Sequence, residues 1–245
     1  MVENVSLTIG GAKILNNISL TVFSNETLGI IGPNGAGKTS LFNLLSGIRQ
    51  VSQGKIFLGE RDISGLSIDE RARAGIARTF QTSSIFPNLT LLENVRISAQ
   101  ASLGGSFNIL RKASRYTDSL EMAHACLMQV GLNDRKSSLA GSLSHGDKRR
   151  LEIAIVLASS AHVILLDEPM AGMSVENIPE LLEIIKSLSK VHNKTVLIVE
   201  HHMDVVLGLA DRIAVLNFGE LLVCDTPTRV MENRTVQSAY LGESL

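Results

Sequence analysis

The chain of 245 residues has no tryptophan, 4% aromatic residues and only two cysteines, Cys126 and Cys224. The cysteines lie far apart and in no CxxC pattern, which argues against a disulfide framework or a zinc site and is typical of a reducing compartment. Residues 1–5 include an acidic side chain and lack the apolar core of a signal peptide. We therefore expect a protein that stays inside the cell.

Long hydrophobic runs are also missing, although the mean hydropathy is +0.21. A helix that crosses a bilayer needs roughly 20 apolar residues, and the longest candidate, 153–166, is interrupted by two serines and a histidine. A buried helix followed by a buried strand explains this segment better. Neither sign of charge is in excess, with 23 Lys+Arg against 24 Asp+Glu, so no nucleic-acid partner is expected.

The order of apolar patterns predicts an α/β fold. Two alternating strands flank Gly10-Gly11, which indicates an antiparallel β part at the N-terminus. Continuous apolar strands then alternate with helical patterns, as in a parallel sheet covered on both faces. We predict one domain with a mixed, mainly parallel sheet, whose nucleotide-binding core comprises 1–81 and 143–245. Residues 82–142 are predicted to form an inserted helical subdomain, with a basic loop over 104–115.

A phosphate-binding loop is predicted between the strand at 28–31 and the helix at 39–46. The loop satisfies the pattern GxxxxGK[ST] in the required strand–loop–helix context. Glycines let successive backbone N–H groups point inward, and the helix N-terminus adds positive potential. Lys38 is expected to reach the β- and γ-phosphates, and the Thr39 hydroxyl to bind Mg²⁺. The candidate nucleotide-binding residues are Gly32, Pro33, Asn34, Gly35, Ala36, Gly37, Lys38, Thr39 and Ser40.

A pair of acids ends the apolar strand 163–166. Such a pair can deliver one carboxylate to a metal and another to a water molecule. We expect Asp167 to hold Mg²⁺ and Glu168 to orient or deprotonate the attacking water. A GTPase would normally carry NKxD to bind guanine, and residues 193–196, Asn-Lys-Thr-Val, lack the aspartate. ATP is therefore the expected nucleotide.

Four further segments make the chain resemble the ATP-binding cassette (ABC) ATPases, which share a P-loop nucleotide-binding core. They are Thr79-Phe80-Gln81, similar to the Q-loop; Leu143-Ser144-His145-Gly146-Asp147, at the position of the LSGGQ signature; Ala171-Gly172-Met173-Ser174, at the D-loop; and His201, at the switch histidine. The resemblance implies that Gln81 contacts Mg²⁺ and water and that His201 senses the γ-phosphate. The neighbouring His202 is instead expected on the solvent side or at a helix cap.

The same resemblance implies that two subunits bind ATP between them. Ser144 and Gly146 of one subunit would face the phosphate loop of a second ABC ATPase subunit, identical or paralogous. Four positions depart from the family pattern: His145 replaces a glycine, Asp147 adds negative charge near the triphosphate, Ser174 replaces an aspartate, and no aromatic residue lies near Ile9 to stack on adenine.

Within the family, Arg78-Thr79-Phe80-Gln81, 85–90 and 93–95 resemble the ATPase subunits of bacterial branched-chain amino-acid importers and their urea or amide relatives. This implies two membrane permease subunits, a solute-binding protein, and a peripheral position on the cytoplasmic side of the plasma membrane. The helical segment 82–142 would be the docking surface for the permease. The alternatives are an exporter ATPase, such as that of lipopolysaccharide export, and a non-transport ABC protein of DNA repair or translation.

Overall fold

The structure, a computed structural model, describes residues 1–79, 85–103, 112–159 and 161–241. Its strands are β1 Val2–Ile9, β2 Ala12–Leu20, β3 Thr27–Ile31, β4 Gln53–Leu58, β5 Arg61–Asp62, β6 Ile76–Arg78, β7 Val163–Asp167, β8 Thr195–Val199, β9 Arg212–Asn217 and β10 Glu220–Asp225. Its helices are α1 Lys38–Leu45, α2 Ile68–Arg73, α3 Leu91–Ser102, α4 Lys112–Gln129, α5 His145–Ala158, α6 Ile178–Lys190, α7 Met203–Leu209, α8 Pro227–Glu232 and α9 Arg234–Leu241.

Two sheets form the framework. The larger has the order β10-β9-β3-β8-β7-β6, in which every neighbouring pair is parallel except β10-β9. The smaller has the order β2-β1-β4-β5 and is antiparallel. The predicted fold class, a mixed and mainly parallel sheet with an antiparallel part at the N-terminus, is confirmed.

The central strands are apolar except at one end of each, because both of their faces are covered. All five residues of β3 are buried, as are four of the five in β7 and in β8. On one side the three strands share a core with α1 and the antiparallel sheet. On the other side β7 and β8 pack against helices α3 to α6, and β3 packs against α7. Burial at roughly 25 cal/mol per Å² of apolar surface makes these strands the main stabilising element.

Helices α3, α4 and α5 pack against one another. The Thr90 side chain caps α3 by accepting a hydrogen bond from the Glu93 N–H at 3.1 Å. The expected loop over 104–115 is wrong at its end, because α4 already begins at Lys112. Residues 104–111 lie outside the described residues. Within the part of the chain that the structure describes, no helix has both the length and the apolar character needed to cross a bilayer.

Candidate nucleotide-binding site

The candidate residues meet at one edge of the large sheet. The phosphate loop follows β3, Asp167 ends β7, and His201 follows β8. These three strands are parallel neighbours in the order β3-β8-β7. Their carboxyl ends therefore lie side by side, which is where ligands bind in open α/β sheets.

Two glycines hold the phosphate loop against its neighbours. A Cβ on Gly32, whose φ is 152°, would lie 2.1 Å from the backbone oxygen of Leu216. A Cβ on Gly37, whose φ is 102°, would lie 2.6 Å from Cδ2 of Leu15. At Gly32 any other residue would force the backbone of β9 to move, whereas at Gly37 the Leu15 side chain would have to shift and the positive φ itself disfavours a side chain. The loop pattern thus requires glycine at these positions for packing as well as for curvature.

The phosphate loop forms a cleft with Glu168 and His201. The cleft has a volume of about 360 Å³ and is lined by these two residues, by Ile14 and by residues 34–40. Lys38 is buried, and its Nζ donates to the backbone oxygens of Gly32 at 2.6 Å and Pro33 at 3.0 Å. The aliphatic residue that lines the cleft is Ile14, whereas Ile9 lies outside the lining.

Glu168 and His201 are hydrogen-bonded across the cleft. The distance from His201 Nε2 to Glu168 Oε1 is 2.8 Å. Glu168 has a left-handed backbone, with a φ of 49°, and its N–H donates to the Val199 oxygen at 2.9 Å. This turn directs the side chain out of the strand, so that it can accept a proton or orient a water molecule. His202 instead occupies the N-cap position of α7 and is exposed.

Asp167 lies beneath this pair in a buried ion pair that sequence reasoning missed. Its Oδ2 is 2.6 Å from Nη2 of Arg78, and the side chains are only 2% and 7% exposed. Its Oδ1 is buried and has no hydrogen-bond partner within the described residues. A buried carboxylate oxygen of this kind is costly unless something binds it, and a divalent cation fits the position. The signal in the sequence was an arginine in the short, otherwise apolar strand β6.

A second buried acid joins the segments that follow β7 and β8. Glu200 Oε1 accepts the Met170 N–H at 2.9 Å, and its Oε2 accepts the His201 N–H at 3.2 Å. Glu200 is 3% exposed. It therefore fixes the chain on both sides of the Glu168–His201 pair. The sequence marks this residue only as the acid before His201.

The signature segment lies apart from the cleft. Ser144 is exposed and caps α5 by accepting the Asp147 N–H at 3.1 Å. Neither Ser144 nor Gly146 lines the cleft around the phosphate loop. His145 Nε2 is 3.0 Å from the Ala171 oxygen, so the departure from glycine creates a contact between α5 and the segment after Glu168.

Asp147 of the signature segment is ion-paired within its own chain. Its carboxylate pairs with Arg135 at 2.6 Å and with Arg150. Burial raises the pKa of Asp147, but the Ser144 side chain and the two arginines outweigh burial and hold this pKa below its ordinary value. The negative charge is thus neutralised within the chain. Gln81, the remaining candidate, lies outside the described residues.

Comparison with known proteins identifies the family of the chain. The sequence pattern of the family described as "ABC transporter" matches residues 15–171. The chain is 38% identical over 248 residues to the high-affinity branched-chain amino acid transport ATP-binding protein LivG of Salmonella typhimurium, covering 99% of this chain and 97% of LivG. It is 34% identical to the lipopolysaccharide export system ATP-binding protein LptB of Haemophilus influenzae, covering 98% of this chain and 96% of LptB.

Solved structures show the same fold. The ADP conformation of MJ1267, an ATP-binding cassette of an ABC transporter, is similar with a TM-score of 0.83 and 28% identity, covering 99% of this chain and 98% of MJ1267. The dimeric structure of MJ0796, a bacterial ABC transporter cassette, has a TM-score of 0.77 and 25% identity, covering 92% and 97%. A family match over more than half of the chain, with relatives this similar over nearly all of it, leads to one conclusion: the chain belongs to the ABC transporter family of ATP-binding cassette ATPases.

Proposed function

We propose that the chain is the ATP-hydrolysing subunit of an importer for branched-chain amino acids or a related small amide or urea-type solute. The observation that carries the proposal is the Glu168–His201 pair facing the phosphate loop in one cleft. The import direction is favoured because identity to LivG is higher than identity to LptB, over a slightly larger share of this chain. An exporter remains the second candidate.

Mg²⁺ bound with the nucleotide would be held by Asp167, Thr39 and Gln81. The support is the unpartnered Oδ1 of Asp167 among the described residues, together with a hydroxyl on the first turn of α1. Mg²⁺ favours such a combination of one carboxylate, a hydroxyl and substrate phosphate oxygens. When bound, the ion would neutralise charge on the phosphate oxygens.

Hydrolysis would then rest on positioning and charge. The Lys38 ammonium would leave the loop carbonyls that it contacts and approach the β- and γ-phosphates. Glu168 would orient the attacking water and accept its proton, and His201 would hold the Glu168 carboxylate and hydrogen-bond the γ-phosphate. The products are ADP and phosphate.

A second ABC ATPase subunit would complete each site. Ser144 caps α5 from an exposed position outside the cleft of its own chain. The N-terminus of this helix attracts anions, so Ser144 and Gly146 would reach the γ-phosphate held by the partner subunit. The similarity to the dimeric cassette MJ0796 supports this arrangement. ATP would hold the two subunits together, and hydrolysis would release them.

A membrane permease subunit would dock in a groove between α2, α3 and α5. This groove has a volume of about 240 Å³, and its lining includes the exposed side chain of Ile68 with Ser98 and Ile155. It reaches the helical segment 82–142 through α3. Two permease subunits and a solute-binding protein would complete the importer, so this chain would lie peripherally on the cytoplasmic face of the plasma membrane.

Reconstitution tests the proposal. The chain, its companion ATPase subunit, the permease subunits and the solute-binding protein are assembled in proteoliposomes, and phosphate release is measured with and without leucine, valine, urea or acetamide. We expect one solute class to stimulate ATPase activity and to accumulate on the side of the ATPase. Stimulation by lipopolysaccharide would favour the exporter, and failure to assemble with any membrane subunit would contradict a transport function.

A further inference from the structure

Within the described part of the chain, the Arg78 side chain contacts Asp167, Asn43, Ser46 and Phe42. Its Nη2 pairs with Asp167 Oδ2 at 2.6 Å, and its Nη1 donates to Asn43 Oδ1 at 2.7 Å and Ser46 Oγ at 3.0 Å. Its guanidinium carbon also lies 5.7 Å from the centroid of the Phe42 ring. The planar guanidinium donates to these acceptors from two nitrogens in a fixed fork, a geometry that a lysine ammonium, a single point charge, does not provide. The position of Arg78 is therefore closely defined.

This arrangement fixes the orientation of the Asp167 carboxylate. Because Oδ2 is ion-paired with Arg78, the carboxylate cannot rotate freely. Oδ1 therefore points in a fixed direction. Oδ1 is the oxygen without a hydrogen-bond partner within the described residues. Partners behind a metal-binding side chain commonly orient it in this way. Arg78 is thus placed to present Oδ1 to a cation.

The same arginine lines the groove between α2, α3 and α5. Arg78 and Ser46 contribute to its wall together with Ala72 of α2 and Ser98 of α3. One side chain therefore touches both the groove and Asp167. A change of shape in the groove can therefore reach the carboxylate through the Arg78 side chain.

We propose that Arg78 is a positioning residue that orients Asp167 for Mg²⁺ and couples occupancy of the groove to the metal site. The inference rests on the proposed function for two points: the Mg²⁺ site at Asp167 and the identity of the groove's occupant, a permease segment. Coupling is reciprocal, so Mg²⁺ binding at Asp167 must also change the conformation or environment of the groove in the isolated chain. This makes the inference testable without any membrane partner.

The first test compares Arg78→Lys with Arg149→Lys. Arg149 forms an equally buried ion pair with Glu152 at 2.8 Å, away from the cleft, and is a matched control. Binding of a fluorescent ADP analogue is measured in EDTA and in Mg²⁺, and bound Mn²⁺ is counted by electron paramagnetic resonance. We expect the affinity of Arg78→Lys for the ADP analogue in EDTA to stay within about twofold of the unchanged chain. The factor by which Mg²⁺ increases this affinity should fall about tenfold, as expected for a supporting partner of a metal ligand.

Thermal unfolding of both variants separates structure from positioning, since both lose a buried guanidinium. Equal metal enhancement in Arg78→Lys, Arg149→Lys and the unchanged chain would overturn the proposal. If Arg78→Lys does not fold, Asn43→Ala serves instead, because it removes one acceptor and keeps the charge. Asn43→Ala should also reduce the increase in ADP affinity caused by Mg²⁺, but by a smaller factor than Arg78→Lys. An unchanged increase would count against the inference.

The second test places a single tryptophan in the groove with Ala72→Trp. The chain contains no other tryptophan, so the emission reports the groove alone. We expect Mg²⁺ added to the ADP complex to shift the emission, and Arg78→Lys to abolish this shift while the response to ADP alone remains. The coupling would be contradicted if Mg²⁺ did not change the tryptophan emission. It would also be contradicted if the shift were still present in Arg78→Lys. Both outcomes are independent of the reconstitution experiment.

Discussion

His201 Nε2 and Glu168 Oε1 lie 2.8 Å apart, although the residues are 33 positions apart in the chain. The contact forms because β7 and β8 are parallel neighbours and the Glu168 N–H is hydrogen-bonded to Val199 at the end of β8. The imidazole thus holds the carboxylate over the phosphate loop. This pair is the centre of the proposed ATPase chemistry, and the predictions below test the groups around it.

Lys38→Ala should weaken ATP binding about 10- to 100-fold. The substitution removes a charged donor to the phosphates, and such hydrogen bonds contribute about 1.5–3 kcal/mol. Titration with a fluorescent ATP analogue measures the effect. Lys186→Ala is the control, because Lys186 is on α6, where it pairs with Glu183 at 3.3 Å. Unchanged affinity in Lys38→Ala would argue against the placement of the phosphates.

Gly32→Ala should lower both stability and nucleotide affinity, the latter by at least about tenfold, because a misplaced loop loses the alignment of its donors. The added Cβ would meet the Leu216 oxygen at 2.1 Å. Gly59→Ala is the matched control: it has a φ of +60° but open space around the Cβ position, so only the backbone penalty of about 1–2 kcal/mol remains. Thermal unfolding and nucleotide titration would show the two variants to differ; equal behaviour would mean that the packing of Gly32 is unimportant.

Asp147→Asn should destabilise the chain at neutral pH and matter less in acid. The pKa of Asp147 is lowered on folding from 3.8, so its ion pairs stabilise the native state above that pH and are lost as the pH falls through the lowered value. We expect a difference of about 1–2 kcal/mol in unfolding free energy at pH 7, shrinking below pH 3.8. Urea denaturation across this range measures it. A difference that grows in acid would refute the assigned ion pairs.

The sequence predicted the elements whose signals are local. The strands at 28–31 and 163–166 and the glycine-rich loop all depend on neighbouring residues, and the structure contains each of them. The α/β class followed from the same periodicities. The resemblance to ABC ATPases was confirmed by the family match and by the relatives.

Contacts between distant segments could not be predicted. Arg78 and Asp167 are 89 positions apart, and the sequence patterns of β6 and β7 do not predict that these two residues pair. The charge of Asp147 was expected near the triphosphate, but Arg135 and Arg150 compensate it in the fold. Likewise, the sequence does not indicate that Ile14 of β2 lines the cleft with the phosphate loop.

The most direct test of the account is Glu168→Gln, measured by phosphate release together with size-exclusion chromatography in ATP and Mg²⁺. The amide keeps the shape of the side chain but cannot accept the proton of the attacking water. We predict retained ATP binding, a loss of turnover of at least about 100-fold, and accumulation of a dimer that dissociates when ATP is removed. Glu183→Gln, on the exposed face of α6, should behave like the unchanged chain. Full ATPase activity in Glu168→Gln, with no dimer, would contradict the central role assigned to Glu168.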